Sequence, residues 1–266
     1  MSYRDAVTAA KYSGGSNEQA TALHEERLTP VAAGDGYFGF DEPRGVVAHV
    51  VPDGVYDDGY ALDLSESAVV PEADPSRPTQ LPVLGARDPG RGTWTADGFG
   101  ASVDAGESTD RCTGYAHLFS NGVVESVSAL PFDDDGEDTA AGNAEDADGT
   151  RPERLDGRAL ELDLTACVRR YLRLLSYHQA SAPVHVAISV FGTAGCRLDP
   201  GADGPDAAPI REDLLAPFPV TLPNFDCDVR SALADPIDAL WRSAGYPGSP
   251  FLDDGAWTLR SAYERP

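Results

Sequence analysis

Three of the five histidines, His49, His117 and His185, fall within stretches that alternate or run apolar in the manner of β-strands. Three imidazoles brought together on one sheet could hold Zn²⁺ or Ni²⁺. His49 and His117 also have apolar neighbours, which suits histidines satisfied by backbone hydrogen bonds inside a sheet. Ser189 and Cys196 are the candidate nucleophiles near a strand end. Gly192-Thr193-Ala194-Gly195 lies between them, where a turn could offer backbone N–H groups to an anion. The chain has no GxSxG elbow, and GTAG lacks both the Walker spacing and its lysine, so a turn between two strands is the favoured reading. Asp57-Asp58 and Asp253-Asp254 could supply acid/base or calcium chemistry, but in so acidic a chain they read as solvation. No catalytic signature emerges and no cofactor is implied.

Binding chemistry is weighed in the same way. Nucleic-acid recognition needs a cationic stripe, because phosphate contacts dominate its affinity. Arg151, Arg154, Arg158, Arg169, Arg170 and Arg173 are the one local enrichment, and Glu153, Asp156, Glu161 and Asp163 cancel most of it. Direct nucleic-acid binding is therefore not expected. Trp241, Tyr246, Phe251 and Trp257, interleaved with Gly and Pro, either pack back on the core or form a surface for docking another protein. Cys112, Cys167, Cys196 and Cys227 lie far apart without CxxC or CxxH spacing, which suits buried free thiols.

The charge balance bounds the setting. Asp and Glu total 44 against 20 Lys plus Arg, a formal charge of −24, and Lys11 is the only lysine. At molar salt the Debye length is about 3 Å, so the self-repulsion is screened while the carboxylates keep the surface hydrated. With 41% hydrophobic residues in clusters, the chain can build a core and is not disordered as a whole. The first residues lack the basic and apolar regions of a signal peptide, and no run is long enough to span a membrane. A salt-rich cytoplasm is the expected location.

The elements that must position these residues can be read along the chain. Residues 16–28 predict a short surface helix with Ser16 as N-cap. Val46–Val51 predicts a strand covered on both faces and ended by Pro52-Asp53-Gly54. Residues 65–91 read as an irregular excursion. Two β-prone runs around Asn121-Gly122 predict a type I′ hairpin in which Phe119 opposes Val124 and His117 opposes Ser126. Leu164, Val168, Tyr171 and Leu175 form one face of a helix over residues 158–178. Val184, Val186, Ile188 and Val190 alternate as a strand, and a further strand is expected near residues 217–222. Val229, Leu233, Ile237, Leu240 and Trp241 mark a last helix ending at Gly245, with Asp235-Pro236 either kinking it or capping a new one.

These elements predict an α+β fold: a single mixed or antiparallel sheet with a few packed helices and long acidic loop insertions. One domain over residues 1–266 is expected, with disordered insertions at 132–150 and 199–209.

Five segments, VVAHVVP (46–52), YALDLS (60–65), YAHLFSNGVVES (115–126), VHVAISVFGTAGCRL (184–198) and DALWRSAGYPGSP (238–250), resemble the C-terminal accessory region of prokaryotic divergent AlbA-like, Schlafen-type ATP-binding proteins. The resemblance spans roughly residues 20–257. It implies a region that follows the family's ATP- and DNA-binding half, without that half's chemistry. The functional expectation is a non-enzymatic interaction or regulatory module acting through protein contacts. The alternative is a small-molecule hydrolase or metal-dependent enzyme using the strand histidines.

Overall fold

The computed structural model describes residues 15–40, 42–57, 60–64, 81–86, 90–104, 111–131, 153–200, 207–253 and 256–257. Among them the chain is α+β, built on an eight-stranded antiparallel sheet. Its strands are β1 (Gly45–Pro52), β2 (Arg91–Thr95), β3 (Gly98–Asp104), β4 (Cys112–Phe119), β5 (Val124–Ala129), β7 (Val184–Phe191), β9 (Leu214–Leu215) and β10 (Val220–Leu222). They run in the order β10-β7-β1-β5-β4-β3-β2, with β9 also pairing β7. β6 (Arg154–Asp156) and β8 (Arg197–Asp199) form a small parallel pair, and β11 (Leu252–Asp253) pairs with β12 (Ala256–Trp257). No helix among the described residues is long and apolar enough to cross a membrane.

Helices cover both faces. α1 (Ser16–Ala32) packs on β7 and β1 on one side. On the other side, α2 (Gly157–Tyr177) and α3 (Val229–Ser243) close the larger core. Strand periodicity sorts the residues: Val46, Ala48, Val50, Val186, Ile188 and Val190 face α2 and α3, while Val47, Val51, Tyr115, Phe119 and Phe191 face the α1 side. β1 and β7 are accordingly buried along their full length.

α2 has the expected apolar face, with Leu164, Val168, Tyr171 and Leu175 all buried, and its first turn is capped by the Asp156 carboxylate accepting from Ala159 N at 2.8 Å. α3 runs unbroken through Pro236 from an Asp228 cap, so Asp235 starts no new helix.

Three expectations are corrected. α1 is not a surface helix: Ala20, Leu23, His24, Arg27, Leu28 and Val31 form a buried stripe, and Gly15 rather than Ser16 occupies the N-cap. The 65–91 excursion runs into a strand not anticipated, since Arg91 begins β2; its described residues 81–86 are irregular, and Leu81, Val83 and Leu84 among them are buried in the core. The hairpin forms, but one residue out of the expected register: Leu118 opposes Val124, His117 opposes Glu125 and Ala116 opposes Ser126. Gly122 N donates to Phe119 O at 2.8 Å and Phe119 N to Val123 O at 2.9 Å, so the loop has three residues, with Gly122 alone in it at positive φ (+89°). That is a type I turn completed by a left-handed glycine, the next commonest hairpin after the two-residue form.

The 132–150 insertion lies outside the described residues. Of the 199–209 segment, Asp199 closes β8, and Ala207 is buried with its carbonyl accepting from Arg197; residues 201–206 lie outside the description.

Candidate functional site

The one-residue change of register decides what the sheet presents to α1. Pairing places Glu125 between His49 on β1 and His117 on β4 in a single cross-strand row, with all three side chains buried. A carboxylate in that position must be paired or neutralised. α1 supplies the cation: Arg27 Nε donates to Glu125 Oε2 at 2.7 Å and Nη2 to Oε1 at 2.8 Å, a bidentate pair. Tyr115 Oη–H donates to Oε1 at 2.7 Å, and His49 Nε2 to Oε2 at 3.0 Å. Burial alone would raise the Glu125 pKa, but the hydrogen bonds from His49 and Arg27 outweigh it and hold the carboxyl well below its usual range.

The network continues into a chain. His24, one turn before Arg27 on the same face of α1, places Nδ1 2.8 Å from His49 Nδ1 and Nε2 2.7 Å from Ser189 Oγ. Each of these two contacts needs one donor and one acceptor, and the tautomer of each ring decides which atom donates. Burial first, then the neighbouring His49, pushes the His24 pKa well below 6.5 against the pull of Glu125, in keeping with an uncharged ring.

Hydroxyl, imidazole, imidazole and carboxylate thus stand in the order of a nucleophile, its base and the groups that orient the base. The order alone does not make a catalytic site. Ser189 is fully buried and His24 nearly so. An open recess of about 600 Å3 lies on the outer side of α1, lined by residues including Ala22, Glu25, Glu26 and Asp35, and none of its lining residues belongs to the network. Two N–H groups of the GTAG turn are engaged by backbone carbonyls, Thr193 N donating to Asp213 O and Gly195 N to Ile210 O, as in a turn that connects two segments. Cys196 is buried, and burial raises its thiol pKa.

The other sequence candidates are placed elsewhere. His49, His117 and His185 share a sheet face but do not meet. His117 lies two strands from His49, roughly 10 Å by inter-strand spacing, with Nε2 2.9 Å from Thr95 Oγ1 and its ring packed between Tyr37 and Phe119. His185 bonds Thr221 Oγ1 at 3.1 Å and approaches Asp53 at 3.7 Å. Burial lowers both rings' pKa values, that of His117 to about 4. No group of three His, Cys, Asp or Glu among the described residues could hold a metal ion. Trp241 is buried and donates through Nε1 to Glu161, and Tyr246 and Phe251 pack against its ring, so the packing account fits these three better than docking does. The side chain of Trp257, and Asp58 and Asp254 of the acidic pairs, lie outside the described residues.

His24, Arg27, Tyr115 and Glu125 were not foreseen as functional. Two signals could have found them: a lone acid inside the β-prone run VVESV, and the 20-23-24-27-28-31 helical stripe, which is continuous only if His24 and Arg27 count as buried. Comparison with known proteins returns nothing to set beside this geometry: no family model, curated protein or solved structure matches the chain.

Proposed function

We propose that the protein is a non-enzymatic interaction or regulatory module of a salt-rich cytoplasm, in which the Ser189–His24–His49–Glu125–Arg27 network clamps α1 to the sheet. One observation carries the reading: the arrangement closest to a catalytic relay is sealed, with Ser189 and Glu125 both at 0% exposure. A nucleophile must reach its substrate within about 3–3.5 Å, and the body of α1 stands over Ser189. The resemblance to the accessory region of divergent AlbA-like proteins and the formal charge of −24 support the same reading. Labelling with a fluorophosphonate probe in molar KCl tests it. No label at Ser189 is expected; label that disappears in Ser189→Ala would establish the rival reading, a hydrolase, which the order of the relay favours. The halophilic setting is tested separately by the thermal midpoint, which should rise between dilute buffer and molar KCl.

A further inference from the structure

The sheet ends at β2, whose residues Arg91-Gly92-Thr93-Trp94-Thr95 are exposed apart from half-buried Thr95. Among the described residues nothing pairs with its outer edge. A bare edge strand is a template for another strand, and soluble proteins usually blunt it with proline, bulges or charges that repel a copy. β2 has no proline and no carboxylate, and the register shift nearby lies between β3 and β4 rather than in β2. Trp94 remains 46% exposed beside Phe99, with ring centroids 5.0 Å apart.

We infer that β2 is a self-association edge, pairing antiparallel with β2 of a second copy of this chain about a two-fold axis at Thr93. The sequence is self-complementary in that register. Thr93 meets Thr93 of the other copy, a favourable cross-strand pair. Trp94 lies over Gly92 of the other copy, the missing side chain leaving room for the ring, and the symmetry repeats this pair. Arg91 comes alongside Thr95 and the Ala96-Asp97 turn of the second copy, bringing a cation toward a carboxylate. For a chain of charge −24, a carboxylate-free edge lets two copies approach without setting acid against acid. The opposite edge is less suited. β9 and β10 are two and three residues long and follow Glu212 and Asp213, although Leu214 and Phe218 are exposed there. Pairing one edge with the other would also make an open fibre, whereas β2 with itself closes as a dimer.

Sedimentation velocity of the whole chain in molar KCl tests the inference, with an expected mass twice the 28.1 kDa of one chain. Thr93→Asp sets two carboxylates face to face on the axis and should return the mass to that of one chain with an unchanged thermal midpoint. In a Cys227→Ser background, Thr93→Cys should form a disulfide-linked dimer on mild oxidation. A wild-type chain that is monomeric at every concentration, a Thr93→Asp dimer, or an uncrosslinked Thr93→Cys protein would each overturn it. None of these outcomes depends on whether Ser189 is reactive.

Discussion

The Nδ1 atoms of His24 and His49 lie 2.8 Å apart in the core, with the rings edge to face at 4.9 Å between centroids. At that distance the two atoms can share one proton; a second would set N–H against N–H and charge against charge, away from water. The contact joins α1 to β1, so the seating of the helix is coupled to the protonation of its buried face.

Acid should therefore unseat α1. The His24 pKa is held well below 6.5, first by burial and then by His49, with Glu125 opposing. As pH falls through about 6.5 the unfolded chain takes up a proton on His24 and the folded chain does not, so stability is lost on the acid side of that value. Ser189, His49, Glu125 and Arg27 are the groups that meet the ring directly or through the chain. The thermal midpoint in molar KCl should drop between pH 7.5 and 5, and His24→Gln should drop less. An identical pH dependence in the variant would refute the assignment.

Removing the cation should be worse than removing the pair. Arg27→Ala leaves the Glu125 carboxylate buried without its bidentate partner, a change that costs about 3–5 kcal/mol. Arg27→Met with Glu125→Gln removes both charges and should recover a large part of that loss. Urea denaturation in KCl measures both. A single variant as stable as wild type would mean that water reaches Glu125.

Glu161 predicts the opposite sign. Burial first pushes its carboxyl up from 4.5 to about 7, against hydrogen bonds from Ser249 and Trp241. Between those values the folded chain keeps a proton that the unfolded chain releases, so this group's contribution falls as pH rises from about 4.5 to 7. Glu161→Gln, whose carbonyl can still accept from Trp241, should stabilise the protein by about 1–2 kcal/mol at pH 8 and hardly at all near pH 5. Denaturation at the two pH values checks the difference, and an equal effect at both would remove titration as its cause.

Trp241 ties α3 to α2 through Glu161 and fills the space against Gly157, where an added Cβ would stand 2.6 Å from the indole. Trp241→Ala should cost about 3–5 kcal/mol, a large share of a domain's stability. If the ring instead belonged to a docking surface, the thermal midpoint would stay within a degree or two.

By itself the sequence determined the charge regime, the α+β class and the elements whose apolar period is unmixed. Val46–Val51, the Leu164-Val168-Tyr171-Leu175 face and the Val229–Trp241 face are visible because burial of apolar side chains repeats at the period of a strand or a helix. α1 was legible as a helix but not as a buried one, because His24 and Arg27 occupy positions where a period-based reading expects apolar residues. β2 and β3 were missed because glycines, Thr93 and Ser102 dilute their alternation. The site depended on tertiary structure alone. Whether Glu125 faces α1 rests on a hairpin loop of three residues instead of two, and a slip of one residue would turn it toward α2. Whether its charge can be buried rests on an arginine 98 positions away in the chain, and Ser189 stands 165 positions from the histidine it bonds. Local pattern carries no information about such pairings, because the free energy that selects them arises only when the sheet and α1 exclude water from both partners together.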